Sequence, residues 1–132
     1  MKNIPTPGEQ RIYRKVVSET DLAAFHGERL HPVYSTFALA RDFEWSSRLF
    51  FLEMKEEDEE GVGTHVSIAH KSPAFVGEEV IITATVQHCE GPNLHCEIVA
   101  RVGGRVIAEG TTGQRMLKKD KLKQIFTPPA HG

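Results

Sequence analysis

Residues 36–54 read TFALARDFEWSSRLFFLEM and contain neither glycine nor proline. Such a stretch predicts one long α-helix, and its apolar side chains fall on most of the helix circumference. We therefore expect a helix that is largely buried. Ser35 or Thr36 can cap its first turn, and the acidic run at 55–60 ends it in solvent.

The segments on either side of this helix predict mainly strands. Residues 11–17 suit a first strand, and residues 18–25, which begin Ser-Glu-Thr-Asp, predict a short helical turn. Gly27 and Pro32 interrupt any helix there. After the helix, four stretches rich in β-branched residues and separated by turn residues predict antiparallel strands, at 62–69, 79–89, 94–102 and 105–118.

Apolar alternation in the two middle strands predicts their register. Val86 and Cys96 should lie opposite each other on one face of the sheet, with a loop of roughly five residues between the strands. This register places Cys89 and Cys96 on opposite faces and separates His88 from His95. A four-ligand metal site built from these two His-Cys pairs then fails on geometry, so we expect no metal.

The element order predicts an α+β protein with one long buried helix wrapped by a curved antiparallel sheet, which is the hotdog fold. A single helix covers only one face of such a sheet, so an edge or a face is left over. Dimerisation is the usual remedy, and we expect a homodimer or a higher homo-oligomer. The chain divides into a flexible arm at 1–10, a hotdog domain at 11–120 and a tail at 121–132.

Composition narrows the functional classes. The 132 residues fit one domain, with 39% hydrophobic and 26% charged residues. A net charge of -2 disfavours a nucleic-acid partner. No apolar run reaches the roughly 20 residues needed to span a bilayer, so we expect no membrane partner. The N-terminal residues lack the apolar core of a signal peptide, and two cysteines make no disulfide scaffold, so we expect a cytoplasmic protein.

Glu44 is the most informative polar residue. It is a carboxylate in the middle of an apolar helix, and burying such a charge costs several kcal/mol unless it is paired. It can form an ion pair with Arg41 at i-3 or Arg48 at i+4. Alternatively, it can line a pocket and act as a base or nucleophile.

Thr36 and His70 are the other two catalytic candidates. Thr36 precedes Glu44 by eight residues, about 80° around the helix, so both side chains can border one cavity; alternatively, Thr36 only caps the helix. His70 is in phase with Val66 and Ile68 on its predicted strand and should face the helix with them. An imidazole there could relay protons near neutral pH, or it could be a core residue.

Three stretches resemble motifs of one family. Residues 32–39, PVYSTFAL, followed by Phe43-Glu44-Trp45, resemble the V-x-S-T-P-A…E helix start of the fluoroacetyl-CoA-thioesterase-like hotdog enzymes. Residues 62–77 are similar to the family's V-G-T-x-V-x-V-x-H-x-x-P-x-x-x-G strand, and residues 107–117 to its closing G-T-H-x-R strand.

The resemblance implies a site for thioester chemistry. The family's catalytic threonine, glutamate and histidine fall on Thr36, Glu44 and His70. Its backbone-donating glycine falls on Gly63, as a candidate oxyanion donor, and its substrate-binding arginine falls on Arg115. The chain departs from the pattern at Phe37, where the family has proline and which we expect at the pocket mouth, and at Gly113, where the family has histidine.

Hydrolysis of an acyl-CoA thioester is the activity that the resemblance implies. Coenzyme A is then part of the substrate, and no further cofactor is expected. The bulk of Tyr34, Phe37 and Phe43 favours a short or compact acyl group. Two alternatives stay open: a hotdog (R)-enoyl-CoA hydratase using Asp21 and His26, and a module that binds acyl-CoA without turnover.

Overall fold

The computed structural model describes residues 1–129. A single 3-10 turn at Glu19–Asp21 lies between the first two strands. The other elements, in chain order, are β1 (Gln10–Val16), β2 (Leu22–Phe25), β3 (Glu28–Tyr34), α1 (Thr36–Met54), β4 (Glu59–His70), β5 (Glu79–Glu90), β6 (Asn93–Val102), β7 (Arg105–Lys118) and α2 (Lys119–Ile125).

Five of these strands form one antiparallel sheet in the order β1-β5-β6-β7-β4, and α1 packs across one face of it. The core lies between that helix and the inward-facing residues of the sheet. Its largest fully buried members include Phe43, Phe50 and Phe51 from the helix and Ile82 and Ile98 from the strands. The predicted α+β architecture is confirmed.

The bounds predicted for the long helix are confirmed at both ends. Ser35 is the residue that caps it, because its side chain accepts a 3.0 Å hydrogen bond from the Ala38 N–H. The expectation of a largely buried helix is only partly met. One stripe along α1 stays open in the single chain, and it includes Phe37, Arg41, Glu44 and Trp45.

The predicted helical turn at 18–25 is wrong beyond its first residues. Ser18 and Asp21 form a capping box, but it closes only one 3-10 turn. The chain then forms the β2–β3 hairpin, whose turn places His26 at φ 54° and Gly27 at φ 79°. Two consecutive residues in the left-handed region are typical of a tight hairpin turn. The two strands are short and their register is irregular, which weakens the alternation signal.

The register between β5 and β6 is confirmed at Val86, which pairs with Cys96. The five-residue loop is wrong, because a bulge at Gln87 lets the strands continue to a two-residue turn. The bulge also brings His88 opposite His95, and their rings stack with centroids 4.4 Å apart. Cys89 then packs against the core on the same side as Cys96, so the predicted separation of both pairs is wrong.

The ends of the described chain contact the domain. Before β1, Lys2 N–H donates to Met54 O over 2.7 Å and Gly8 N–H to Val86 O over 2.8 Å. Helix α2 crosses the predicted boundary at 120 and buries Leu122. The last three residues of the predicted tail, 130–132, lie outside the described residues. No helix within residues 1–129 is long and apolar enough to cross a membrane.

Candidate active site

A cleft of about 380 Å³ runs along the open stripe of α1. Its walls are that stripe and one residue of β4: Phe37, Ala40, Arg41, Glu44, Trp45, Arg48 and Val66. The helical members recur at the three- and four-residue spacing of one helix face. The cleft therefore places the carboxylate of Glu44 beside an apolar wall. Its volume is within the range of small-molecule sites.

Glu44 extends from α1 over the main chain of β4. A Cβ atom on Gly63 would lie 2.8 Å from the Glu44 carboxyl carbon, so any larger residue there would force the carboxylate to move. Gly61 allows a similar close approach of Phe51 to the strand. These two glycines of β4 therefore leave room for two side chains of α1, Glu44 and Phe51, to lie against the strand.

The ion-pair alternative for Glu44 is not what the structure shows. Arg48 Nη2 contacts Glu60 Oε1 at 2.5 Å. The hydrogen bonds from Lys55 and Arg48 outweigh the opposing effect of burial and lower the pKa of Glu60 to about 2. The Glu44 carboxylate forms no ion pair with any residue of 1–129, so it is an unneutralised charge in the wall of the cleft.

Arg41, the other flanking arginine, belongs to a buried polar network. Its Nη2 contacts Asp21 at 2.8 Å, and its Nε contacts Asp42 at 3.0 Å. Lys15 Nζ contacts the same two carboxylates at 2.8 and 3.3 Å, and the Tyr34 hydroxyl donates to Asp42. Burial and the bond to Asp42 raise the pKa of the Tyr34 phenol. Two cations thus balance two buried anions beside the start of α1.

Thr36 and His70 are in contact with each other. The Thr36 hydroxyl lies 3.0 Å from His70 Nδ1, and Thr36 is free to make this contact because Ser35 caps the helix. His70 faces the helix in phase with Ile68, as expected. Its Nε2 is buried and has no partner among residues 1–129. That nitrogen therefore keeps an unused hydrogen-bonding position on the helix side of the sheet.

Thr36 and Glu44 border two adjacent clefts rather than one. Thr36 lies in the wall of a second cleft of about 380 Å³, beneath the β2–β3 hairpin. Phe37 and Arg41 line both clefts and so form the wall between them. The Phe37 ring is 80% exposed, in agreement with the expectation that it lies at a mouth.

Arg115 is not brought to this site. It is exposed on β7 between Gln114 and Met116, both of which are buried. Alternate residues of a strand point to opposite faces, so Arg115 lies on the face of the sheet away from α1. Gly63 pairs with Gln114, the residue before Arg115, rather than with Arg115 itself. Within one chain the arginine cannot contact the Glu44 cleft.

The pair of residues expected for a hydratase is also not assembled. Asp21 is 1% exposed and its carboxylate is occupied by Lys15, Arg41 and Ser18. His26 lies in the β2–β3 turn and is exposed. The pair lacks the accessible acid and oriented base that hydration needs. Within residues 1–129, no group of three or more metal-ligating side chains is placed to hold an ion.

A buried polar cluster beneath Glu44 escaped the sequence analysis. Thr112 Oγ1 donates to Ser47 Oγ over 2.8 Å, and Gln114 Nε2 donates to Ser47 Oγ over 2.9 Å. Gln114 Nε2 also donates to the Glu44 carbonyl oxygen over 2.8 Å. The available signals were the hydroxyl pair Ser46-Ser47 in an apolar helix and the inward phase of Thr112 and Gln114.

A side chain at Gly63 tests the placement of the carboxylate. Gly63→Ala would place a methyl group against the Glu44 carboxyl, which must move because the strand cannot. We expect kcat for the thioester hydrolysis that the sequence resemblance implies to fall about 10- to 100-fold, since small misplacements of a reacting group are costly. The free energy of unfolding should change little, because the displaced group is the end of a flexible side chain.

Gly104→Ala is the matched control, since nothing lies within 4 Å of a Cβ there and the backbone is unstrained. Steady-state kinetics and urea unfolding of both variants check the expectation. Equal kcat values for the two variants would show that the Glu44 carboxylate does not depend on its position over Gly63.

Comparisons with known proteins identify the family and the fold. Residues 17–120 match the family described as fluoroacetyl-CoA-specific thioesterase, FlK. A Thermus thermophilus hypothetical protein, described as a thioesterase superfamily member, is 30% identical, with a TM-score of 0.89 over 96% of this chain and 93% of that chain. Comparison with curated proteins gave no match.

Two further solved structures share the fold. The fluoroacetyl-CoA thioesterase FlK is 22% identical, with a TM-score of 0.85 over 94% of this chain and 98% of that chain. A hot-dog-like protein from Thermanaerovibrio acidaminovorans is 22% identical, with a TM-score of 0.83 over 93% of this chain and 94% of that chain. The hotdog architecture is therefore confirmed, and the chain belongs to the fluoroacetyl-CoA-specific thioesterase (FlK) family.

Proposed function

We propose that this protein is an acyl-CoA thioesterase that hydrolyses a short or compact acyl-CoA to the free acid and coenzyme A. The observation that carries the proposal is the unpaired Glu44 carboxylate, which lies in the wall of an apolar cleft and against the main chain of Gly63. Glu44 is exposed on the open stripe of α1, and a free carboxylate there can serve as a nucleophile or a base.

The chemistry divides among the candidate residues. In one route the Glu44 carboxylate attacks the thioester carbonyl, the C–S bond breaks, and water hydrolyses the resulting acyl-glutamate anhydride to the free acid and Glu44. In the other route Glu44 draws a proton from a water that attacks the carbonyl directly. The Gly63 N–H is the candidate donor to the oxyanion that develops on the carbonyl oxygen. His70, oriented through Nδ1 by the Thr36 hydroxyl, assists proton transfer through its free Nε2. The thiol of coenzyme A leaves with a proton, and no metal or further cofactor takes part.

The size and lining of the clefts support a compact acyl group. The Glu44 cleft holds about 380 Å³, and Phe37 and Trp45 occupy much of its wall. Point mutants of FlK have been solved with fluoroacetate and coenzyme A and with acetyl-CoA. We propose two possible binding roles for Arg115. It contacts a part of coenzyme A that extends beyond the cleft, or it contributes to the site of a second subunit.

Assembly and location are further parts of the proposal. Phe37, Trp45 and Val66 are 80%, 39% and 43% exposed in the single chain, and the adjoining strand β4 is an edge of the sheet. A homodimer would cover this apolar surface and close the clefts. Cys89 and Cys96 are both free thiols, which favours a reducing compartment, and we propose the cytoplasm.

Thiol release from a series of acyl-CoA esters tests the function. With acetyl-, butyryl-, octanoyl- and palmitoyl-CoA, we expect kcat/KM to be at least about 100-fold higher for the two short esters. Tight binding of acyl-CoA without thiol release would identify a non-catalytic binding module instead. Hydration of crotonyl-CoA in place of hydrolysis would identify the hydratase.

A further inference from the structure

The side-chain carboxylate and the main-chain carbonyl of Glu44 both contact one pair of residues in the β4–β7 ladder. Gly63 and Gln114 are direct partners in that ladder. The Glu44 carboxylate lies against Gly63, and its carbonyl oxygen accepts a 2.8 Å hydrogen bond from Gln114 Nε2. The position of the carboxylate over β4 therefore depends on how this residue pair fixes α1 relative to the sheet, both in rotation about the helix axis and in distance from the strands.

The cluster around Gln114 bonds the helix to the sheet at this turn. Ser47 Oγ accepts from both Thr112 and Gln114, and donates in turn to the Glu44 carbonyl over 3.1 Å. That carbonyl thus receives two side-chain donors in addition to the usual helical N–H. All three side chains are buried, where hydrogen bonds are strengthened and geometry is specified closely.

Stability alone does not explain a glutamine at this position. Gln114 is 3% exposed, and its Oε1 is buried with no partner among residues 1–129. A buried amide oxygen without a partner is costly, and a methionine of similar length would avoid that cost. The donor end of the amide is used, while the acceptor end is left unsatisfied. This favours a role that the Nε2 donor performs.

We propose that Gln114, with Ser47 and Thr112, positions Glu44 for catalysis by fixing the helical turn that carries it. The inference rests on the proposed thioesterase function and adds a positioning residue that does not itself touch the substrate. Gln114→Met should then lower kcat about tenfold, because the carboxylate loses its alignment with the thioester carbonyl. KM should stay within about twofold, because the walls of the cleft do not change.

Two serines provide a matched control. Ser46 and Ser47 are adjacent, buried and bonded to carbonyls of the same helix, but Ser46 bonds only Phe43 O, within the helix. Ser47→Ala removes the acceptor that joins helix to sheet and should lower kcat, while Ser46→Ala should leave kcat near the wild-type value. If both variants lose a similar fraction of kcat, the cluster has no special role and the inference is overturned.

Thr112 keeps the test valid if Gln114→Met fails to fold. Thr112→Val removes the hydroxyl that donates to Ser47 at nearly constant volume, and Thr112→Ser restores it. We expect kcat to fall with valine and to recover with serine, both at unchanged KM and with an unchanged pH profile. Loss of thermal stability with wild-type kcat in the folded valine variant would mean a purely structural role.

Steady-state kinetics on butyryl-CoA, with melting temperatures measured in parallel, separate the two levels of the proposal. If Glu44→Gln abolishes turnover while Gln114→Met and Thr112→Val keep wild-type kcat, the positioning inference fails and the thioesterase function stands. If wild-type protein releases no thiol from any acyl-CoA ester, the function fails and the inference fails with it.

Discussion

Glu44→Gln is expected to lower kcat for thioester hydrolysis by about 10³-fold or more. The substitution keeps the size of the side chain but removes the charge that makes it a nucleophile or base. The stability of the fold should be unaffected, because Glu44 forms no ion pair with any residue of 1–129 and its main-chain bond to Gln114 remains. Thiol-release kinetics and urea unfolding of the same preparation measure both effects.

Glu53→Gln provides the control for that variant. Glu53 lies on the same helix, but at its far end, where its carboxylate contacts the Arg11 guanidinium at 2.6 Å near the surface. Surface ion pairs of this kind contribute little to stability. Wild-type kcat and KM are therefore expected for Glu53→Gln. The difference in kcat between Glu44→Gln and Glu53→Gln then measures the effect of the Glu44 charge.

Asp21→Asn is expected to destabilise the fold by about 3 kcal/mol. Asp21 is 1% exposed, and its carboxylate receives Lys15 Nζ and Arg41 Nη2, both at 2.8 Å, and the Ser18 N–H at 2.9 Å. A neutral amide leaves excess positive charge in a buried network. Urea unfolding at pH 7 measures the loss. Asp58→Asn, which breaks an exposed pair with Lys118, should leave the unfolding midpoint unchanged.

The loss of unfolding free energy caused by Asp21→Asn should become smaller as the pH falls. Burial opposes ionisation of Asp21, but the bonds from Lys15, Arg41 and Ser18 outweigh it and hold its pKa below the ordinary value. The stabilisation is therefore complete above the ordinary carboxyl pKa of about 4 and is lost as pH falls below it. The gap between wild type and Asp21→Asn should narrow from pH 7 to pH 3. A constant gap would contradict this account.

This network also supports the candidate catalytic residues Thr36 and His70. The Asp21 carbonyl oxygen accepts a 2.9 Å hydrogen bond from the Ser35 N–H, immediately before Thr36. Asp42 and Arg41 follow within the first turns of the same helix. The cluster thus ties the β2–β3 hairpin to the start of α1, where the Thr36 hydroxyl meets His70.

Local pattern was sufficient for much of the fold. The cap residues before α1 and the acidic run after it predicted the ends of the helix, and apolar alternation predicted that Val86 pairs with Cys96. The same phase argument placed His70 on the helix side, where it contacts Thr36. Each of these depends on the period of a single element, which a sequence displays directly.

The errors arose where distant contacts or irregular strands decide the structure. The capping box at Ser18 signals a helix start, but the chain turns at once into a hairpin of short strands with bulges. The bulge at Gln87 reversed the predicted faces of His88 and Cys89. Pairing of Asp21 with Arg41, rather than Arg41 with Glu44, needed contacts 20 residues apart that periodicity does not encode.

The central claim is that the Glu44 carboxylate and the imidazole of His70 act on one bound thioester. The most direct measurement is the rate of thiol release from butyryl-CoA by Glu44→Gln and His70→Ala, each assayed beside wild type. The account predicts that wild type turns over and that both variants lose most of kcat while remaining folded. Rates close to wild type from both folded variants would contradict it.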